Sequence, residues 1–229
     1  MRILAIDTAL PAASACVLES GADEPLAIES MPMERGHAEA LMPLIDRVVS
    51  RIDGGFSALD RVAVTVGPGS FTGIRVGVAA ARAISLACDI PVVGVSTLAA
   101  LAAPLILEST GGVVAAAIDA RHGNLFLAAF VSGGRVLVAP RVASLREAVR
   151  VLGAGPIRAA GSGAGLLAIE AWTMGSLIDV VGDYIAPDIS FVARLGLLAN
   201  PLSSPARPLY LKPPDAKPQM SSAVARDSG

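Results

Sequence analysis

Residues 61 to 88 constrain the fold more than any other part of the chain. Arg61–Val66 is a short apolar run of the kind that forms a buried strand. Gly67-Pro-Gly-Ser70 then makes a tight turn, and Phe71–Cys88 reads as one helix. That helix is apolar almost all round. Arg75 and Arg82, seven residues apart, share one side, while Val76, Val78, Ala79, Ala80, Ala83, Ile84 and Leu86 cover the remaining directions. Gly73, Gly77 and Ala81 recur at i, i+4 and i+8, a flat stripe that lets another backbone come to about 8 Å. A helix of this kind is buried on more than one side. Its own sheet supplies one cover, and something else has to supply the other.

The preceding helix is one candidate cover. Ala38, Leu41, Met42, Ile45, Val48, Val49 and Ile52 follow helical spacing, with Pro43 expected to kink the helix or confine its regular part to the second half. Its stripe is broad, with Ala40 and Leu44 lying outside it. Two apolar helices with surface left over point to a subunit interface. The alternative is a core closed within one chain.

Elsewhere the pattern is that of two α/β lobes. Arg2–Thr8, Ala12–Leu18 and Leu26–Met33 read as a meander, Val92–Val95 as a strand and Thr97–Leu107 as a helix. Leu4-Ala-Ile-Asp7-Thr8 before Ala15–Leu18 is echoed by Ala116-Ala-Ile-Asp119-Ala120 before Leu125–Phe130, a weak internal repeat. The second lobe adds strands at Val136–Val142 and Ile157–Ala160, and helices at Leu145–Leu152 and Ile189–Leu198. The expected division is 1–108, 109–200 and a proline-rich 201–229 whose end is disordered.

The chain is 53% apolar but only 3% aromatic, and its net charge is −2. It therefore offers neither a general attraction to phosphate backbones nor a base-stacking platform. Cys16 and Cys88 set no disulfide framework and read as small buried residues. The start, Met1-Arg-Ile-Leu-Ala-Ile-Asp7, lacks a signal-peptide pattern. The nearly uncharged stretch from Ile84 to Leu107 is broken by Asp89, Pro91 and Pro104, so it reads as core and not as a membrane span. The expected location is the cytoplasm.

No constellation in the chain points firmly to catalysis. The Gly67–Ser70 turn before a helix could hold a phosphate, but it lacks the P-loop lysine, and Gly67, Gly69 and Gly73 give G-x-G-x-x-x-G where a dinucleotide fold needs G-x-G-x-x-G. A tight turn with Ser70 or Thr72 as helix cap is the simpler reading. Asp7, Thr8, Asp119, Gly161 and Gly163 lie at strand ends or in a glycine-rich loop, where a weak nucleotide cleft would form. His37 has Leu41 where a second helical metal ligand would stand, so no metal site is expected. A hydrolase pair of Ser70 and His122 lacks a nucleophile-elbow context.

Ile3-Leu-Ala-Ile-Asp-Thr8, Gly36-His-Ala-Glu39, Gly67–Arg82, Asp119-Ala-Arg121 and Arg207-Pro-Leu-Tyr-Leu-Lys212 occur in the order seen in the TsaB (YeaZ) family, which this sequence closely resembles. The resemblance implies the actin-like, ribonuclease-H-like fold of two similar lobes. It also implies a non-catalytic subunit of the bacterial machinery that makes threonylcarbamoyladenosine at position 37 of tRNA. Such a subunit pairs with a TsaD-type transferase through its first two helices, is joined by a TsaE-type ATPase, and forms homodimers when alone. It meets tRNA through the complex and uses no membrane, and ATP and metal belong to the partner subunits. Carried onto this chain, the interface comprises His37, Ala40, Leu41, Leu44, Ile45, Val48, Phe71, Ile74, Arg75, Val78, Ala79 and Arg82. The alternative is an ATP-binding phosphotransferase of the same fold. Asn124, Leu125 and Phe126 depart from the family pattern, which has an acidic residue and a tyrosine there.

Overall fold

Strand β1 (Arg2–Asp7) is the axis of the first lobe. It starts an antiparallel meander with β2 (Ala12–Glu19) and β3 (Ala27–Pro32), while β4 (Arg61–Gly67) and β5 (Val92–Ser96) run parallel on its other side, in the order β3-β2-β1-β4-β5. The second half repeats this plan. Strands β6 (Val113–Asp119), β7 (Asn124–Val131) and β8 (Val136–Ser144) form the meander. Strands β9 (Ile157–Ala160) and β10 (Asp179–Gly182) add in parallel, giving β8-β7-β6-β9-β10. The Ile-Asp echo is therefore a structural repeat, with Asp7 and Asp119 ending the equivalent strands β1 and β6. This is the two-lobed actin-like arrangement, observed in a computed structural model that describes residues 1–108, 111–182 and 184–212. The expected disordered end lies outside the described residues.

Strand alternation sorts the apolar residues into layers. On one face of the first sheet Leu4, Ile6, Val62 and Val64 meet α1 (His37–Val49) and α2 (Phe71–Cys88). On the other face Ile3, Ala5, Ala63 and Val93 meet α6 (Ile189–Leu198). In the second sheet Val114, Ala116 and Ile118 face α3 (Thr97–Glu108), whereas Ala115 and Ala117 face α4 (Leu145–Leu152) and α5 (Ala164–Thr173). The stack thus runs α1/α2, first sheet, α3/α6, second sheet, α4/α5.

Several expectations need correcting. The lobes are not the contiguous spans 1–108 and 109–200, because α6 packs on the first sheet and α3 on the second. Arg61 fixes this exchange by donating from Nη1 to the carbonyls of Gly196, Leu197 and Ala199 at the end of α6. Helix α1 continues through Pro43, which lies on its exposed face together with Glu39, whose carbonyl loses its partner there. Its buried stripe is His37, Leu41, Leu44, Ile45, Val48 and Val49, so Leu44 belongs to the core while Ala38 and Met42 face outward. Helix α5 and strand β10 were not anticipated. Cys16 is buried, but Cys88 is only half-buried.

The proline-rich segment is irregular, yet it is tied to the first lobe. Gly94 N donates to Ser204 O at 2.9 Å and Leu209 N to Val66 O at 2.7 Å, and Ala206 is buried in the α1/α2 core.

Candidate functional site

The glycine signature is built around the turn that follows β1. A Cβ on Gly73 would overlap the Thr8 carbonyl, standing 3.2 Å from its carbon and closer to its oxygen. A Cβ on Gly77 would stand 2.5 Å from Thr8 Oγ1. Thr8 Oγ1 donates to Gly73 O at 2.7 Å, and Ser70 N donates to Ala9 O at 2.7 Å. The backbone that the Gly73–Gly77–Ala81 stripe admits is thus the chain's own. Gly67, at φ 111°, admits Leu209 of the C-terminal segment. The first turn of α2 is capped by Ser70, whose Oγ accepts from Gly73 N at 3.2 Å.

With its glycine face turned inward, α2 shows solvent a different side. Thr72, Arg75, Ala79, Arg82, Ala83 and Leu86 fall on one exposed stripe, and Leu86 is 85% exposed. Of the residues expected at an interface, Leu41, Leu44, Ile45, Val48, Ile74 and Val78 are core residues of this chain, each at most 4% exposed. They support the helix pair from behind. Ala40, Phe71, Arg75, Ala79 and Arg82 remain at the surface. One contributor went unrecognised. Arg75 Nε donates to Tyr210 Oη at 2.9 Å while its guanidinium lies 3.9 Å from the centre of the Phe71 ring. The Phe71 and Tyr210 rings stand 5.0 Å apart, so the C-terminal segment joins the edge of the α2 surface. Tyr210 sits in the Arg207–Lys212 motif, but nothing local in that motif says which helix it meets.

A cleft of about 750 Å³ opens between the lobes at the ends of β1 and β6, lined in part by Leu10, Arg35, His37, Asp119, Arg121 and Tyr210. His37 therefore belongs to the cleft, with Nε2 3.4 Å from Leu10 O. Among the five expected cleft residues only Asp119 faces the opening, and its Oδ1 accepts from Arg121 N at 2.8 Å. Asp7 is fully buried. Its Oδ1 accepts from Ala9 N at 3.1 Å and from the Thr65 hydroxyl, while Oδ2 has no hydrogen-bond partner among the described residues. Burial pushes its carboxyl up to about 6, against the pull of Thr65, Ala9 and the charge of His37. Thr8 is occupied by Gly73. A Cβ on Gly161 would overlap the Ala117 carbonyl and one on Gly163 would stand 2.5 Å from Leu125 Cδ2, so both glycines make room for the chain itself. The carboxylates that line the cleft are Glu34 and Asp119, while Asp7 lies behind it, buried.

The profile of the family described as TsaD, tRNA N6-adenosine threonylcarbamoyltransferase, matches residues 31–192. The chain belongs to this family. A Mycobacterium tuberculosis relative described as uncharacterized is 33% identical over 216 residues, 94% of each chain. The Escherichia coli tRNA threonylcarbamoyladenosine biosynthesis protein TsaB is 35% identical over 130 residues. That alignment covers 57% of this chain and 55% of that protein, so the chain spans about half the length of the curated relative it matches. YeaZ from Pseudomonas aeruginosa has a solved structure that superposes with a TM-score of 0.70 at 25% identity, covering 92% of this chain and 99% of that one. Relatives named TsaB and YeaZ thus place the chain on the branch of the family that its sequence resembles.

Proposed function

We propose that this chain is a non-catalytic subunit of a tRNA-modifying assembly. It docks a TsaD-type transferase on the outward face of α2 and supports threonylcarbamoylation of adenosine 37. The reading rests on one observation above the others: the exposed stripe of α2 carries Ala79, Ala83 and Leu86 alongside Arg75 and Arg82, apolar residues flanked on one side by charge. The family's names supply the reaction. The cleft supports a docking subunit over a phosphotransferase, since Asp7, Thr8, Gly161 and Gly163 are engaged in holding the chain together. On this reading ATP and metal belong to the partner subunits, a TsaE-type ATPase joins the assembly, and tRNA is met through the complex. The setting is the cytoplasm. Without the transferase, the same face takes a second copy.

The test is titration of the TsaD-type partner against this chain, followed by reconstitution of adenosine modification with and without it. Ala79→Glu and Leu86→Glu place a charge on the exposed face without touching the core. Each should weaken the pair by at least tenfold, on the order of a peripheral-to-central contact, and abolish stimulation of modification at low concentration. Full affinity in both variants would overturn the mapping. Gly77→Arg is unsuitable for this purpose, because it strikes Thr8 and tests folding instead.

A further inference from the structure

The second lobe carries an apolar face of its own. Helix α5 has one charged residue, Glu170, whose Oε1 accepts from Arg146 Nε of α4 at 3.3 Å. Ala164, Leu167 and Ala171 face the sheet. The opposite side presents Leu166, Ile169 (67% exposed) and Trp172 (72% exposed), with Gly165 beside them. Leu177 (73% exposed) follows the helix. Val180 pairs with Ala159, whose side chain belongs to the α4/α5 core, so Val180 extends the same side. The exposed apolar area is on the order of 500 Å², at the upper end of what a monomer leaves uncovered.

We propose that this face binds a second copy of the chain, with α5 antiparallel to its counterpart across a two-fold axis near Ile169. A two-fold interface must be self-complementary, so that if one residue meets another, the reverse contact also forms. The face satisfies this. Gly165 and Leu166 lie three to four residues before Ile169, and Trp172 and Thr173 lie three to four after it. With the axis between Ala168 and Ile169, antiparallel pairing sets each Trp172 opposite the other copy's Gly165. There the indole finds room, because a Cβ at Gly165 would meet nothing within 4 Å. The area is also consistent. A standard interface buries about 800 Å² per partner, roughly 60% of it non-polar, which matches about 500 Å² of apolar surface. No charge is stranded, since Glu170 already has Arg146 beside it. The α4/α5 layer is the far end of the stack from α1/α2, so this dimer leaves the proposed docking face open.

The experiment is sedimentation of the full chain carrying Ala79→Glu, which closes the α2 face, alone and combined with Gly165→Glu or Trp172→Ser. Trp172 is the chain's single tryptophan, so its emission reports on the interface directly. The Ala79→Glu chain should be a dimer that dissociates on dilution with a red shift of that emission. Each second substitution should weaken it by on the order of a hundredfold. Circular dichroism checks the fold, which Gly165→Glu leaves intact because that position is open. A monomer at all concentrations overturns the proposal, as does a dimer indifferent to both substitutions. A monomer whose Trp172 emission moves to the blue only on adding the TsaD-type partner overturns it as well, and gives the face to that partner. Partner affinity in Ala79→Glu alone decides the docking reading and is blind to this one.

Discussion

Placing the same methyl group on two helical glycines should move stability in opposite directions. In Gly73→Ala the new Cβ enters the Thr8 carbonyl group, which is backbone and cannot rotate aside. Either α2 backs away from the turn after β1, or the turn shifts. Overpacking of this kind costs about 1–3 kcal/mol. Separating the elements also loosens the buried 2.7 Å bond from Thr8 Oγ1 to Gly73 O, worth roughly 1 kcal/mol. Against this, alanine gains up to about 1 kcal/mol in helix propensity. The net expectation is a loss of about 1–3 kcal/mol. For a chain of this size that lowers Tm by roughly 2–12 °C, at about 2–4 °C per kcal/mol. Gly165→Ala in α5 has the same propensity gain and no clash, so its Tm should rise by a few degrees at most. Thermal unfolding followed by far-ultraviolet circular dichroism measures both. If Gly73→Ala melts at or above the wild-type temperature, the inward-packing account of the glycine signature is wrong. If it does so while losing the transferase partner, the signature serves the partner after all.

Three further outcomes follow from buried groups and the C-terminal segment. Asp7 has its folded pKa raised from 3.8 to about 6, so the folded state holds the proton longer than the unfolded chain. The stability this contributes is complete below the unfolded value and is lost as pH rises through the folded one, on the order of 3 kcal/mol in all. Chemical denaturation of wild type and Asp7→Asn across that window should show the slope in the former only. The Cys16 thiol is buried and pushed up to about 12, chiefly by desolvation, so a thiol reagent should label half-buried Cys88 in the native protein and reach Cys16 only on unfolding. In Gly94→Val the new Cβ would stand 2.6 Å from the Pro205 carbonyl oxygen. This should displace residues 204–209 from the edge of β5, read as faster proteolysis there while the β-sheet signal persists.

Local patterns made much of this fold legible. The strand–turn–helix from Arg61 to Cys88 combines a β-branched run, a Gly-Pro-Gly turn and a helix apolar almost all round, each set by neighbours close in sequence. The Ile-Asp echo was legible for the same reason, since two equivalent hairpins need equivalent short patterns. Helix α5 escaped notice because Leu166, Leu167, Ala168, Ile169, Ala171 and Trp172 leave no apolar period and Gly165 sits in its first turn. What a side chain meets across the fold was not readable. The glycine stripe of α2 looks the same in sequence whether it receives Thr8 or a foreign helix. The exchange of α3 and α6 between sheets depends on pairings more than 80 residues apart, such as Arg61 with the end of α6. Leu41, Leu44, Ile45 and Val48 were legible as one apolar set, but whether that set faces its own sheet or a partner was not.

The repeat carries a consequence for both proposed faces. In chain order, α2 follows β4 and precedes β5, and α5 follows β9 and precedes β10, so the two helices are equivalent members of the two lobes. Each begins at a glycine-rich turn that packs on the end of its lobe's first strand: Gly69 and Gly73 against Thr8 and Ala9, Gly161 and Gly163 against Ala117–Asp119. Each carries more apolar residues than its inward face can hold, because a helix has a limited inward arc. In α2 that outward remainder is Ala79, Ala83 and Leu86; in α5 it is Leu166, Ile169 and Trp172. Helix α3 escapes the same problem, since it lies between the two sheets and has apolar neighbours on both sides. The outward faces of α2 and α5 have no second cover among the described residues, and they lie at opposite ends of the stack. Two faces produced by one plan thus call for two separate partners, and the larger, tryptophan-bearing face is the one whose residues are arranged to match themselves.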